Sequence, residues 1–365
     1  MLNCSSNTNN LALTNPPMKN TEGLLEEQLS FIDLHLSRLK CLSCMILGLI
    51  KVRSVNLSEL SLCFRAEVQP LSCFRRMQRF LSQVAFPFDL LSKYVWKEFQ
   101  GKDPAVLSLD RTNWKFGKLN INILLLSICW KGFAVPLMWK VLGNKRGNSS
   151  QAERICLMRR FVSVIQPDYV VRLVADREFL GERWLNWLDM NHFHFIIRIR
   201  KNQYVSHNYG KEQRADSLFS SEKWRVLRKP RMLKGVKVYL GGQKLKTGDH
   251  LILVSNLPMR SGRFYYAMRW GIEVLFANLK KRGFNFESTH ITHPERINTF
   301  IAVLTLAYIW AVKMGEWIVE KLKTIPIKKH GRRAVAIFRI GLDQLRRKLL
   351  NDSQLEHEIL LLSCT

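Results

Sequence analysis

Four polar side chains recur at helical spacing within residues 264–282: Tyr266, Arg269, Glu273 and Lys280. On an α-helix, at about 100° per residue, all four project within an arc of about 60°. The large apolar side chains project from the opposite side of that helix: Met268, Ile272, Leu275, Phe276 and Leu279. One face therefore presents an acid, two bases and a phenol in a row. A face turned toward a metal-bound phosphodiester needs this mixture of side chains, whereas a solvated face does not.

Two further acids stand at the ends of apolar segments that read as strands. Asp110 ends the segment VLSLD, and Asp176 ends the apolar part of VRLVADREF. Acids at strand ends are exposed at the rim of a sheet while the backbone stays fixed, and Glu273 would reach the same rim from its helix. Three converging carboxylates repel one another unless cations lie between them. Hard divalent ions with oxygen ligands suit this set, and Mg²⁺ is the ion that we predict.

Two Mg²⁺ ions, for which Mn²⁺ can substitute, would clamp a phosphodiester. One ion would activate the attacking water or 3′-hydroxyl, and the other would stabilise the leaving oxygen. We therefore predict that Asp110, Asp176 and Glu273 are both the metal ligands and the catalytic residues. No His or Cys cluster is suitably spaced to replace them.

The remaining polar residues of the helix suit DNA contact. Arg269, one turn before Glu273, would hold a phosphate bidentately or orient the carboxylate. Lys280 would make a point-charge contact with the backbone, and Tyr266 would donate a hydrogen bond to a phosphate near the cleavage point. The competing interpretation is an amphipathic helix with surface charge pairs, worth about 0.2–0.5 kcal/mol each. For Asp176 the alternative is the charged start of a solvated helix.

The polar face of residues 264–282 follows the pattern Tyr, two residues, Arg, three residues, Glu, six residues, Lys. This pattern resembles the signature of bacterial DDE transposases of the insertion-sequence-four type. Asp110 and the Asp176 of DREF stand where that family has its first and second acidic residues. The resemblance runs from about residue 55 to about residue 322, which is most of the chain.

The resemblance implies a DNA transposase that binds the terminal inverted repeats of an insertion sequence. Water nicks one strand, the freed 3′-hydroxyl forms a hairpin on the other strand, and the reopened end attacks target DNA. Hairpin formation requires a flipped base held by an aromatic group. In relatives that group lies in an inserted β-region. In this chain Trp224 is the only tryptophan of the corresponding region, at about residues 201–262. Since two ends must be held together, the implied partners are double-stranded DNA and a second copy of the chain, as a homodimer on DNA.

Two other functions account for parts of the sequence. One is a ribonuclease H-like DNA nuclease without strand transfer, against which the paired Tyr266 and Arg269 and the β-insertion argue. The other is a DNA-binding protein that has lost catalysis, against which the intact set of Asp110, Asp176 and Glu273 argues.

Composition limits the classes of protein that remain. The chain carries 57 Lys+Arg against 29 Asp+Glu, a net charge of +28, which indicates a polyanionic partner. Its 365 residues, 47% hydrophobic, suffice for two or three globular domains. The longest apolar run, residues 301–312, is too short for a membrane span, and the N-terminus lacks the features of a secretion signal. We therefore predict a cytoplasmic, nucleoid-associated protein without membrane contact and with reduced thiols, in which Cys41 and Cys44 are apolar-helix residues.

A disordered leader is predicted over residues 1–20, followed by a helical DNA-binding domain over residues 21–100. Within it, residues 55–83 read as two short helices, the first capped by Asn56 or Ser58. Such a pair suggests a helix-turn-helix-like unit. Its second helix carries three candidate DNA contacts: Arg75, Arg76 and Arg79. A helical bundle with a basic face is the alternative, and it also implies contact with DNA.

The predicted fold class is α+β, with a ribonuclease H-like catalytic core over residues 101–290. The pattern from Val106 onwards is three strands, a helix, a strand, a helix and a strand, with a turn at 111–118. A β-rich insertion at about 201–262 precedes the last catalytic helix. A helical C-terminal region over 291–365 follows, with one long apolar helix at 294–322 and one basic helix at 332–350.

Overall fold

The computed structural model describes most of the chain in eight stretches: residues 21–64, 67–100, 104–143, 146–167, 171–206, 210–322, 325–326 and 335–351. The leader predicted over residues 1–20 lies outside these stretches. The first residues of the predicted basic helix, up to 334, also lie outside them.

Helices account for the N-terminal stretch, as predicted: α1 (Thr21–Gln28), α2 (Leu36–Val52), α3 (Leu57–Ser61), α4 (Pro70–Gln83) and α5 (Phe88–Phe99). Asn56 caps α3, because its side chain accepts a hydrogen bond from the Ser58 amide. Pro70 occupies the first turn of α4, where a missing N–H costs nothing. The pair of helices predicted within residues 55–83 is therefore present.

The central region contains the predicted order of elements: β1 (Val106–Phe116), β2 (Leu119–Trp130), β3 (Phe133–Val141), α6 (Gln151–Ile165), β4 (Arg172–Ala175), α7 (Glu182–Met190) and β5 (His194–Ile199). They form a sheet in the order β3-β2-β1-β4-β5, in which β1, β4 and β5 are parallel and β2 is antiparallel to both of its neighbours. The turn predicted at 111–118 is wrong. β1 continues to Phe116 because its second half pairs with β2, and Gly117, with φ of 56°, reverses the chain.

The predicted insertion contributes six strands: β6 (Tyr204–Ser206), β7 (Glu212–Arg214), β8 (Arg225–Val226), β9 (Arg231–Leu233), β10 (Val236–Lys244) and β11 (His250–Ser255). β11 pairs antiparallel with β5, so the insertion extends the central sheet through β11-β10-β9-β6-β7, with β8 on β10. This pairing joins the insertion to the central sheet along β5.

The segment predicted as one helix over 264–282 is helical but irregular. It comprises α8 (Gly262–Met268), a turn at Arg269, α9 (Trp270–Ala277) and a π-helical segment (Asn278–Arg282). α9 packs on β3 so closely that a Cβ on Gly271 would lie 2.8 Å from the Phe133 carbonyl carbon. This contact places the polar side of α9 over the central strands.

The C-terminal helices are α10 (Pro294–Lys321) and α11 (Ile337–Leu350). They cross closely, since a Cβ on Gly341 would lie 1.8 Å from the Ala311 carbonyl oxygen. α10 is long and apolar enough to cross a membrane by length and composition, but 89% of its most apolar window is buried inside the protein. The run at 301–312 is thus a buried helix, as predicted. α10 also packs on α2 and α4, so the N- and C-terminal helices share one apolar cluster.

Candidate active site

Strand register brings the first two predicted acids together. β1 and β4 are parallel, and the last pair along them is Leu109 with Ala175. Asp110 and Asp176 are the next residues on each strand, so they are neighbours at the edge where β4 ends. The sequence suggested that Asp110 ends its own strand, and this is wrong. It lies within β1 at the point where β4 leaves it.

Side chains from α8 and α9 complete the cluster. The Tyr266 hydroxyl lies 3.3 Å from an Asp176 carboxylate oxygen, to which it donates a hydrogen bond. The Arg269 guanidinium donates through Nη1 to Asp110 Oδ2 at 3.2 Å and through Nη2 to Glu273 Oε1. The structure thus brings five of the predicted site residues together, and the guanidinium stands between two of the three carboxylates.

Burial controls the electrostatics of this cluster. Desolvation raises the pKa of Asp110 to about 6, although the Arg111 amide, 2.7 Å from the carboxylate, and the Arg269 guanidinium lower it. Desolvation also raises the pKa of Tyr266 to about 12, so the phenol stays protonated and remains a donor. Burial lowers the pKa of Arg269, but Tyr266, Glu273 and Asp110 outweigh it and raise that pKa above its ordinary range. One internal cation, the Arg269 guanidinium, therefore offsets only part of the negative charge of the three carboxylates.

Three supporting residues were missed by sequence reasoning. Arg111 pairs with Glu178 at 3.4 Å, which adds a further carboxylate near Asp110 and raises its pKa. Arg154, only 3% exposed, donates to the Glu178 carbonyl oxygen at 3.0 Å. The signal for Arg111 was its position next to Asp110, but it was assigned to a turn. Arg154 lies on a helix distant in sequence, and no local pattern indicates its contact.

Lys280 does not join the carboxylates. Its ammonium pairs with Glu287 at 2.8 Å and donates to the Asn113 carbonyl oxygen at 3.2 Å. It lies 5.4 Å from the centroid of the Trp114 ring. Since a π-helical turn holds more residues than an α-helical one, Lys280 is rotated away from the face predicted for a regular helix.

The three predicted arginines of α4 separate into two groups. Arg75 and Arg79 are exposed and line an open cavity together with Arg296 of α10. Arg76 is half-buried and donates to the Ser37 carbonyl oxygen at 2.7 Å, on α2. This hydrogen bond ties α4 to α2, and the DNA contact expected of Arg76 stays a prediction.

Trp224 is half-buried in the insertion and packs on the Gly241 backbone, where a Cβ would lie 2.6 Å from the indole ring. The Arg263 guanidinium lies 5.8 Å from the indole centroid. Trp224 and Tyr266 pack against the same small apolar cluster on the sheet. Burial raises the pKa of Cys41 to about 11 and of Cys44 to about 12, so both thiols stay protonated.

Comparison with known proteins defines the class. Residues 101–310 match the model of the transposase DDE domain, which is more than half of the 365-residue chain. The chain therefore belongs to the transposase DDE domain family, and the predicted class of DDE transposase is confirmed. Domains of this family generally use divalent metal ions.

No curated protein sequence matches the chain. One solved structure to which the chain is similar is the piggyBac transposase synaptic complex with hairpin DNA, at 11% sequence identity and a TM-score of 0.46. The match covers 90% of this chain and 79% of that one. A likeness this distant assigns no residue and no reaction step here.

Proposed function

We propose that the chain is an insertion-sequence transposase of the insertion-sequence-four type. In this function it binds the terminal inverted repeats, cleaves their strands and joins the ends to target DNA. The observation that carries the proposal is the register of β1 and β4, which makes Asp110 and Asp176 neighbours under the Arg269–Glu273 pair. The family match to a transposase DDE domain supports the same chemistry.

The catalytic core of this proposal is ribonuclease H-like. Its support is the strand order β3-β2-β1-β4-β5 with the helices α6 and α7 in the parallel crossovers. The β-rich insertion between β5 and α8 supports the insertion-sequence-four assignment, since it stands where the resemblance implies it. The division into an N-terminal DNA-binding domain, a core and a C-terminal helical region belongs to the same proposal.

Asp110, Asp176 and Glu273 are the residues that would hold Mg²⁺. The donor set fits, because it offers only carboxylate oxygens, and two of the three already converge on a cation, the Arg269 guanidinium. Bound Mg²⁺ would activate the attacking oxygen and stabilise the leaving one. In the described part of the chain no three acidic, His or Cys side chains stand at metal-ligand spacing, and the Arg269 guanidinium lies between two of the carboxylates.

The chain's own residues have distinct roles in this proposal. Arg269 orients Asp110 and Glu273, which is one of the two roles expected for it from the sequence. Tyr266 orients Asp176 through its hydroxyl. Trp224, as the tryptophan of the insertion, is the candidate to hold a flipped base if the ends pass through hairpins. Double-stranded DNA is the partner, with a homodimer holding the two ends.

The test is incubation with Mg²⁺ and a duplex that carries the inverted repeats flanking the coding sequence, followed by strand-resolved electrophoresis. Nicked, hairpin and joined products, all lost in Asp176→Asn, are the expected result. Nicks without joined products would instead indicate a nuclease. Specific binding without any cleavage would indicate a DNA-binding protein that has lost catalysis.

A further inference from the structure

The surface between α4 and the start of α10 is a groove that the active site does not use. Two cavities, of about 350 and 490 Å³, meet there because both are lined by Gln78 and Arg296. The α4–α10 groove is defined by its polar residues: Arg75, Gln78, Arg79, His290, His293 and Arg296. α4 supplies one wall, and the segment that leads into α10 supplies the other.

The charge of the groove is entirely positive. None of the described residues that line its two cavities is acidic. Arg75, Arg79 and Arg296 make no side-chain hydrogen bond or ion pair to a described residue, unlike Arg76 beside them. Unpaired guanidinium groups on both walls suit a polyanion that lies between them, and Arg forks bind phosphate bidentately.

The shape of the groove suits DNA in particular. Arg75, Gln78, Arg79 and Ser82 recur at spacings of three and four residues, so they form one stripe along α4, in which Gln78 is half-buried and the other three are exposed. A helix of this width fits the major groove of a duplex, where a Gln amide pairs with the edge of adenine. Arg296 on the opposite wall would then contact the flanking phosphates.

A row of contacts connects this groove to the acids. Asp110, Trp114 and Phe116 alternate along β1 and therefore share one face of the sheet. Lys280 contacts Trp114, and the His290 ring lies 5.1 Å from that of Phe116. From Asp110 to Phe116 is six strand residues, or about 20 Å. That length corresponds to about six base pairs of duplex at about 3.4 Å each.

We infer that the α4–α10 groove binds the element end, with its near edge at His290 about six base pairs from the cleavage point and with Arg296 as a phosphate contact beyond that edge. The inference rests on the proposed function, which supplies the cleavage point. In this inference the surface that recognises the element end is formed by two regions of the chain, the N-terminal helices and α10. Lys280, placed along the row, lies between the groove and the acids.

Binding of the full-length protein to a fluorescein-labelled terminal-repeat duplex tests the inference, in EDTA and between 50 and 200 mM salt. Arg296→Gln and Arg79→Gln should each reduce the slope of log K against log salt by about 0.9, the value for one phosphate contact. Arg296→Lys should restore the slope. Arg228→Gln, an exposed arginine of the insertion, is the matched control and should leave it unchanged.

Phosphate-ethylation interference on the same duplex gives the position. The parent protein should show interference that begins about six base pairs from the cut and extends away from it, and Arg296→Gln should lose part of that interference. Unchanged slopes and interference in both Gln variants would overturn the groove while leaving metal-dependent cleavage, and so the proposed function, intact. Failure of the parent protein to bind or cleave the duplex would overturn both. Thermal melts identify any variant that fails to fold. If Arg296→Gln fails to fold, the salt dependence of Arg79→Gln decides whether the groove binds DNA.

Discussion

Replacing Asp110 by Asn should stabilise the metal-free protein at neutral pH, although the residue lies at the centre of the proposed site. Desolvation raises the pKa of its carboxyl from 3.8 to about 6. Below about pH 3.8 the carboxyl is protonated in both the folded and unfolded states, so its ionisation costs folding nothing. Between about pH 3.8 and pH 6 the unfolded chain is ionised while the folded carboxyl still holds its proton, so stability falls across this window and the loss is complete above about pH 6. The resulting loss of stability reaches about 3 kcal/mol, at about 1.4 kcal/mol for each pH unit between the two pKa values.

Urea denaturation at pH 4, 5.5 and 7.5 in EDTA measures this effect. The free energy of unfolding of Asp110→Asn, relative to the parent protein, should increase from pH 4 to pH 7.5 by about 2–3 kcal/mol. Added Mg²⁺ should then stabilise the parent protein and leave the variant little changed. A difference that is the same at every pH would show that the carboxyl is solvated. A parent protein that gains on the variant as the pH rises would show that Arg269 outweighs burial.

Three further substitutions separate the roles of the site residues. Asp176→Asn and Glu273→Gln should each reduce Mg²⁺-dependent cleavage by more than about 100-fold in gel assays while band shifts show unchanged DNA binding. The reason is that losing a residue that only orients a metal ligand already costs about 10- to 100-fold. Retained cleavage in either would remove that residue from the site. Arg269→Ala should destabilise the protein by about 1–3 kcal/mol at pH 7.5 in urea titrations, and by less at pH 4, where Asp110 is protonated; an equal loss at both would contradict the ion pair. Lys280→Gln should leave the Asp110 pH dependence unchanged, since its ammonium is paired elsewhere; a changed profile would place it at the acids.

Much of the site could be predicted from the sequence because it depends on local periodicity. The spacing of Tyr266, Arg269 and Glu273 survives in the folded protein, since α8 and α9 remain in phase across Arg269. Lys280 departs from the prediction because a π-helical segment intervenes. That segment depends on packing that no local pattern indicates. The extent of β1 was missed for the same reason, since pairing with β2 decides it.

The spacing of residues along a helix also cannot distinguish an arginine exposed to solvent from one whose guanidinium is bound by acceptors within the protein. Arg269 was expected on a surface turned to DNA, but its side chain is only 12% exposed and is held by two carboxylates. Arg76 was likewise expected on the DNA surface and is held by α2. Both outcomes depend on acceptors far away in sequence. The insertion shows the same limit at the level of the fold, because the pairing of β11 with β5 joins it to the core sheet.

The charge balance of the site constrains how a metal-dependent reaction could begin. Carboxylates at this density require a cation, and in the free protein the chain supplies it as the Arg269 guanidinium. Since Asp110 and Glu273 are also the proposed ligands of Mg²⁺, the guanidinium and the ion compete for the same oxygens. Asp110 is under-compensated even with Arg269 in place, because burial still raises its pKa to about 6. The folded protein therefore keeps the site assembled with a monovalent partner, while leaving a carboxylate that gains stability when a stronger cation arrives.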